Sequence, residues 1–257
     1  MATILPFSEI SNHLSVKPEQ RKVLIDTCAL IAYSHGASEF SDETEELFIK
    51  LRQNNFTAFT NVNIRSEFLD YQRRLIVTEA LTNIAGQIKG INSFSTIQKR
   101  LKSHVALVHK RAGEGKPLVL NDSEIKRFKK LLSINYSGIP NIWLKFCDNN
   151  LKDSLQRTFN TVEKVMKLKY LSVRKGEKSP EVNGDVSWER MIEISETSAL
   201  GVNDSMILNM FESTSIPYLV TTDFDVVYSG AISNNAQIIF CPDRIYQDYK
   251  ENYFHLL

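Results

Sequence analysis

Acidic residues stand where apolar runs of this chain end. The run VLI at 23–25 stops on Asp26, and PYLVTT at 217–222 stops on Asp223. Glu67 in NVNIRSEFLDY and Asp204 in SALGVNDSMILNMF lie where helices are predicted to begin. The outer segments alternate strand and helix patterns, which predicts a parallel sheet with helices on both faces. Ligands of such sheets bind beyond the carboxyl ends of the strands. The four acids are therefore expected to converge on one sheet edge, although they are far apart in sequence.

A carboxylate beside an apolar run is costly to bury unless something pairs with it. Taken singly, each acid has an ordinary role. Asp26 and Asp204 can cap helices, Glu67 can pair with Arg65 or Arg74, and Asp223 and Asp225 can cap the turn after their strand. Taken together they suggest a shared partner, a hard divalent cation. Mg2+ and Mn2+ prefer carboxylate and water oxygens. The expected ligands are Asp26, Glu67, Asp204 and Asp223, with Asp225 in support and Thr27 and Thr222 as hydroxyls that orient the acids.

Periodicity fills in the rest. Ser41 with acids behind it opens a helix, FTAFT at 56–60 reads as a strand, and Asn61 or Asn63 caps the helix holding Glu67. Helical segments are predicted at 93–112, 122–135, 140–172, 188–198 and 203–214, and a last strand at 236–241. The polar stretch at 174–187 reads as a flexible exposed loop.

Charge divides the chain. Residues 85–180 carry 20 Lys or Arg against 7 Asp or Glu, and the remainder carries 11 against 23. Such asymmetry points to nucleic-acid contact through the basic part. Lys126, Arg127, Lys129 and Lys130 around Phe128, and Lys167, Lys169, Arg174 and Lys175 around Tyr170, are the candidate contacts with phosphates and single-stranded bases. The domain expectation is a nuclease core at 1–84 and 188–257, with a basic, mainly helical insertion at 85–187.

Several classes are disfavoured. No stretch approaches the roughly 18 apolar residues of a membrane span, and the first residues lack a secretory-signal pattern. Cys28, Cys147 and Cys241 are too scattered for a disulfide framework or a zinc site, so a reducing cytoplasm is the expected compartment. His104 and His109 are five apart and do not form a helical metal pair. No phosphate-cradling G-x-x-x-x-G-K-[ST] loop is present.

The strand-end Asp26-Thr27, the helical Glu67, GVNDSMIL with Asp204 and LVTTDFD with Asp223 resemble the PIN-domain family of metal-dependent ribonucleases, which includes many toxins of toxin–antitoxin pairs. The resemblance covers about 23–84 and 188–245. It implies a three-layer α/β/α fold with a central parallel sheet, Mg2+- or Mn2+-dependent cleavage of RNA, and an inhibitory antitoxin as a partner. Compact family members pass from the second acid to the third over a shorter span. The 137 positions from Glu67 to Asp204 imply an insertion.

Two other nuclease-related readings remain open, a structure-specific DNA nuclease of related fold and a nucleic-acid-binding module with a lapsed site. TTDFDVV also resembles the Asp-x-Asp strand of haloacid-dehalogenase-type phosphatases, but only 32 residues follow Asp225, too few for that fold's core.

Overall fold

The computed structural model describes residues 2–36, 38–87, 99, 103, 106, 119–135, 141–232 and 236–252. The predicted helix at 93–112, with His104 and His109, lies almost wholly outside them. The packing separates two compact units, one of residues 1–36, 40–68 and 162–257 and one of residues 37–39 and 69–161.

The first unit is built on a six-stranded, all-parallel sheet. Its strands are β1 (Thr3–Pro6), β2 (Lys22–Ile25), β3 (Thr57–Thr60), β4 (Lys169–Tyr170), β5 (Tyr218–Val220) and β6 (Ile238–Cys241), in the order β1-β6-β5-β2-β3-β4. Val23, Leu24, Ile25, Leu219, Val220 and Phe240 are fully buried. Central parallel strands are covered on both faces, so their sequences run apolar without alternation. The connecting helices are α1 (Thr27–Ser34), α2 (Ser41–Gln53) and the start of α3 (Val62–Gln87). This is an α/β fold, and the arrangement agrees with three α/β/α layers.

The strand order decides where a site can form. From β2 the chain moves outward to β3, and from β5 it moves the other way to β6. β2 and β5 are adjacent, with Leu24 level with Leu219 and Ile25 level with Val220. Their carboxyl ends therefore flank the point where strand order reverses, the usual ligand crevice of an open α/β sheet.

The second unit contains the remainder of α3, α4 (Asp122–Asn135), α5 (Ile142–Asn150) and the first part of α6 (Ser154–Met166). Val77, Leu81, Leu120, Ile125, Phe128, Leu132 and Phe146 form its apolar cluster. Asn121 caps α4 reciprocally: its Oδ1 accepts from Glu124 N–H at 3.0 Å, and its own N–H donates to Glu124 Oε2 at 2.8 Å. That is a capping box.

Packing and composition draw different boundaries. The basic bias begins near residue 85, but α3 runs unbroken from 62 to 87 and changes unit at 68–69. Residues 162–187 lie with the sheet, because β4 pairs with β3. The mostly helical segment expected over 140–172 consists of α5, α6 and, at its end, the strand β4. Asp153 (φ 59°) precedes α6 and Lys167 (φ 52°) follows it in left-handed conformations that interrupt helical hydrogen bonding.

The stretch at 174–187 is tied down rather than loose. Asn183 and Gly184 N–H donate to the Ser213 carbonyl at 3.1 and 2.9 Å, Val182 is buried, and Lys22 pairs with Glu181 at 3.3 Å. A Cβ on Gly184 would meet Ser213 Cα at 3.1 Å, so glycine permits this close approach. The sequence pattern marks neither β1 nor β4 as a strand. Each is a short edge strand paired with a distant partner.

Candidate active site

Asp26 follows β2 directly, and its N–H donates to the Val220 carbonyl of β5 at 2.9 Å. This holds it at the switch point with almost no exposure. Its Oδ1 accepts from Thr27 N–H and its Oδ2 from the Thr221 hydroxyl, both at 2.6 Å. The Thr221 hydroxyl also accepts from Asp223 N–H at 3.0 Å. Thr221, rather than the expected Thr222, thus orients the acids. It is fully buried beside β2, whereas Thr222 is only partly buried.

Glu67 lies in the second turn of α3, because Asn61 caps the helix by accepting from Ile64 N–H at 2.9 Å. Glu67 accepts from the Thr27 hydroxyl at 2.8 Å. Its alternative partner Arg74 pairs with Asp70 at 3.0 Å. Thr27 therefore links Asp26 to Glu67, its backbone holding one acid and its hydroxyl the other. At the same sheet edge, the Thr60 hydroxyl and the Asn61 side-chain nitrogen are buried without a hydrogen-bond partner among the described residues.

Asp204 is set in the first turn of α8 (Val202–Glu212), which packs on α7 (Trp188–Ser198). Arg190 of α7 makes a two-pronged pair with Glu212 of α8 at 2.8 and 3.0 Å, and buried Asn209 donates to the Ser187 carbonyl at 2.6 Å. The Asp204 carboxylate turns back over Gly201, where a Cβ would come within 3.1 Å of Oδ2. Asp223 precedes α9 (Phe224–Ile232) and accepts from Asp225 N–H at 2.8 Å and from the Cys28 thiol at 3.7 Å. Asp225 is exposed, and its contact with Asp223 is through the backbone.

The electrostatics show the acids as neighbours. Burial pushes the Asp26 carboxyl up to about 7; the Thr221 hydrogen bond opposes this, and the charges of Asp204 and Asp223 reinforce it. Burial, then the charges of Asp223, Glu67 and Asp225, push Asp204 up to about 6. The Cys28 thiol is held well above its ordinary value by burial and by the surrounding acids, so it stays protonated and poorly nucleophilic at neutral pH. No Lys or Arg among the described residues pairs with Asp26, Glu67, Asp204 or Asp223.

These oxygens suit a hard cation in donor chemistry and charge. They stand as neighbours rather than as a closed shell: among the described residues no three His, Cys, Asp or Glu side chains form a ready metal-holding group.

The basic candidates divide between the units. Lys126, Arg127, Lys129 and Lys130 are exposed on α4, while Phe128 between them is buried in the helical core and unavailable for stacking. Lys167, Lys169, Arg174 and Lys175 are exposed in the sheet unit, and Arg174 is paired with Glu177 at 3.5 Å. Arg65, which sequence reasoning missed as a possible contact, lies over the Tyr170 ring at 5.3 Å. It is two residues from Glu67, and Tyr170 is level with Thr60 at the end of β3. Only the pairing of β4 with β3 brings the arginine and tyrosine together.

Among the described residues no helix is long and apolar enough to cross a membrane. No protein-family model, curated protein or solved structure matched this chain.

Proposed function

We propose that this protein is an Mg2+- or Mn2+-dependent endoribonuclease of PIN-like fold, with Asp26, Glu67, Asp204 and Asp223 as its catalytic acids. One observation carries the reading: acids from four separate elements are neighbours at the sheet's switch point, repel one another and, among the described residues, lack a cationic side-chain partner. A divalent cation held by these carboxylates would activate water and neutralise the charge of an in-line phosphoryl transition state.

The chain's own groups have distinct parts in this scheme. Thr27 N–H and Thr221 fix the orientation of Asp26, so little reorganisation is needed when a cation or phosphate arrives. Glu67, steadied by the Thr27 hydroxyl, accepts the proton of the attacking water. Arg65 over Tyr170 offers a flat cationic and aromatic surface to an unpaired base. Lys126, Arg127, Lys129 and Lys130 hold RNA phosphates. An inhibitory antitoxin is the protein partner this reading implies.

The test compares wild type with Asp204→Asn on single-stranded RNA, duplex DNA and flap DNA, with Mn2+ and with excess EDTA. Melting curves are recorded alongside. Wild type is expected to cleave RNA only with metal and to gain thermal stability from Mn2+. Asp204→Asn is expected to lose cleavage and most of the metal-induced gain, while its metal-free melting temperature stays level or rises. Cleavage undiminished in EDTA would overturn the metal mechanism. Preference for flap DNA would overturn the substrate, and absence of both cleavage and metal binding would favour a binding module.

A further inference from the structure

Away from the acids, toward the amino ends of β2 and β3, the sheet unit contains a cavity of about 220 Å3. Phe48, Phe56 and Met166 supply apolar wall, and Arg52, Lys167 and Lys169 also line it. No carboxylate lines it, and none of the three cations has an ion-pair partner among the described residues.

Cations near helix ends are ordinary, because they offset the helix dipole. Arg52 in the last turn of α2 and Lys167 just after α6 fit that account. It covers neither Lys169, which lies in β4, nor the partly apolar hollow that these exposed cations line. Lys167 holds φ 52°, the left-handed conformation common just past a helix's last turn.

We propose that this cavity binds a small amphiphilic anion, a phosphate or carboxylate group carried on an aromatic or apolar body. Apolar walls with a few placed polar groups are the usual make-up of a small-molecule site. The volume is below the usual range for drug-sized ligands, which limits the occupant to a compact molecule. Arg52 supplies a planar fork for two anionic oxygens, and the lysines supply point charges. This inference does not depend on the activity of the acidic pocket.

Phenyl phosphate serves as the probe, with inorganic phosphate and phenol as its two halves, titrated by calorimetry into the whole chain. The variants are Arg52→Gln, Lys169→Gln and Lys167→Asn, the last because asparagine tolerates the left-handed backbone. Their melting curves check folding. Wild type is expected to bind one phenyl phosphate at least about tenfold more tightly than either half, and each folded variant to weaken binding by about tenfold, as loss of a charge-assisted hydrogen bond would. No saturable binding by wild type, equal affinity for inorganic phosphate, or undiminished binding by all folded variants would overturn the proposal.

Discussion

The sheet unit buries a carboxylate at its strand ends, whereas the helical unit leaves the lysines of α4 in water. In the sheet unit Asp26 is almost fully buried among apolar strands, and Asp204 is half-buried nearby. In the helical unit Phe128 enters an all-apolar cluster while Lys126, Arg127, Lys129 and Lys130 remain in water. An amphipathic helix can satisfy solvation and packing together by turning its two faces different ways. The switch point of a parallel sheet cannot, so its acids carry a desolvation penalty that only a ligand or a proton relieves. The helical unit's core is apolar, whereas the buried carboxylates of the sheet unit oppose its own stability.

The largest stability effect is expected in the helical unit. Phe128→Ala should destabilise it by about 3 kcal/mol, through lost burial and an unfilled cavity. Chemical denaturation followed by hydrogen exchange should show the loss in α4 and α5. Exchange spread equally through the sheet would show that the two units unfold as one.

Asp26→Asn should act in the opposite direction. Folding raises this carboxyl from an ordinary value near 3.8 to about 7. Between those pH values the unfolded chain has lost its proton while the folded chain keeps it, so metal-free stability falls as pH rises and levels off above about 7. Asp204, raised to about 6, contributes in the same direction over a narrower window. Asparagine retains an acceptor for Thr27 N–H and carries no charge. At pH 8 without metal, the variant should be more stable by about 2 kcal/mol, and its melting temperature should vary less between pH 4 and 8. A variant less stable than wild type at pH 8 would show that the carboxylate is well accommodated.

A smaller effect distinguishes neighbouring threonines. Thr221→Val removes the hydroxyl that donates to Asp26 and should destabilise the metal-free protein at pH 8 by about 1 kcal/mol. Thr222→Val should change stability by less than about 0.5 kcal/mol, the usual range for a substitution away from such a feature. Equal losses would remove Thr221 from its orienting role.

The smallest stability effect is expected from reversing Lys126, Arg127, Lys129 and Lys130 together, since these side chains are exposed. RNA binding should weaken nevertheless, and the slope of log affinity against log salt should flatten by up to about 3 if all four meet phosphates. Unchanged affinity and slope would make them solvated surface and leave the helical unit without a proposed contact with RNA.

The α/β class and the strand-end positions of the acids were legible because both depend on local pattern. An apolar run followed by an acid marks a strand end wherever that strand later pairs, and Asn61 or Asp204 near a helix start is recognisable within one turn. The edge strands were not legible. β1 and β4 are short, and each exists through pairing with a strand remote in sequence. Unit boundaries escaped composition because α3 crosses one without a break. The choice of Thr221 over Thr222 likewise depended on which side of β5 faces β2, as did the meeting of Arg65 with Tyr170 across β3 and β4. Local chemistry named the acids; the strand order, set by non-local burial and pairing, put them at one point and selected the groups that hold them there.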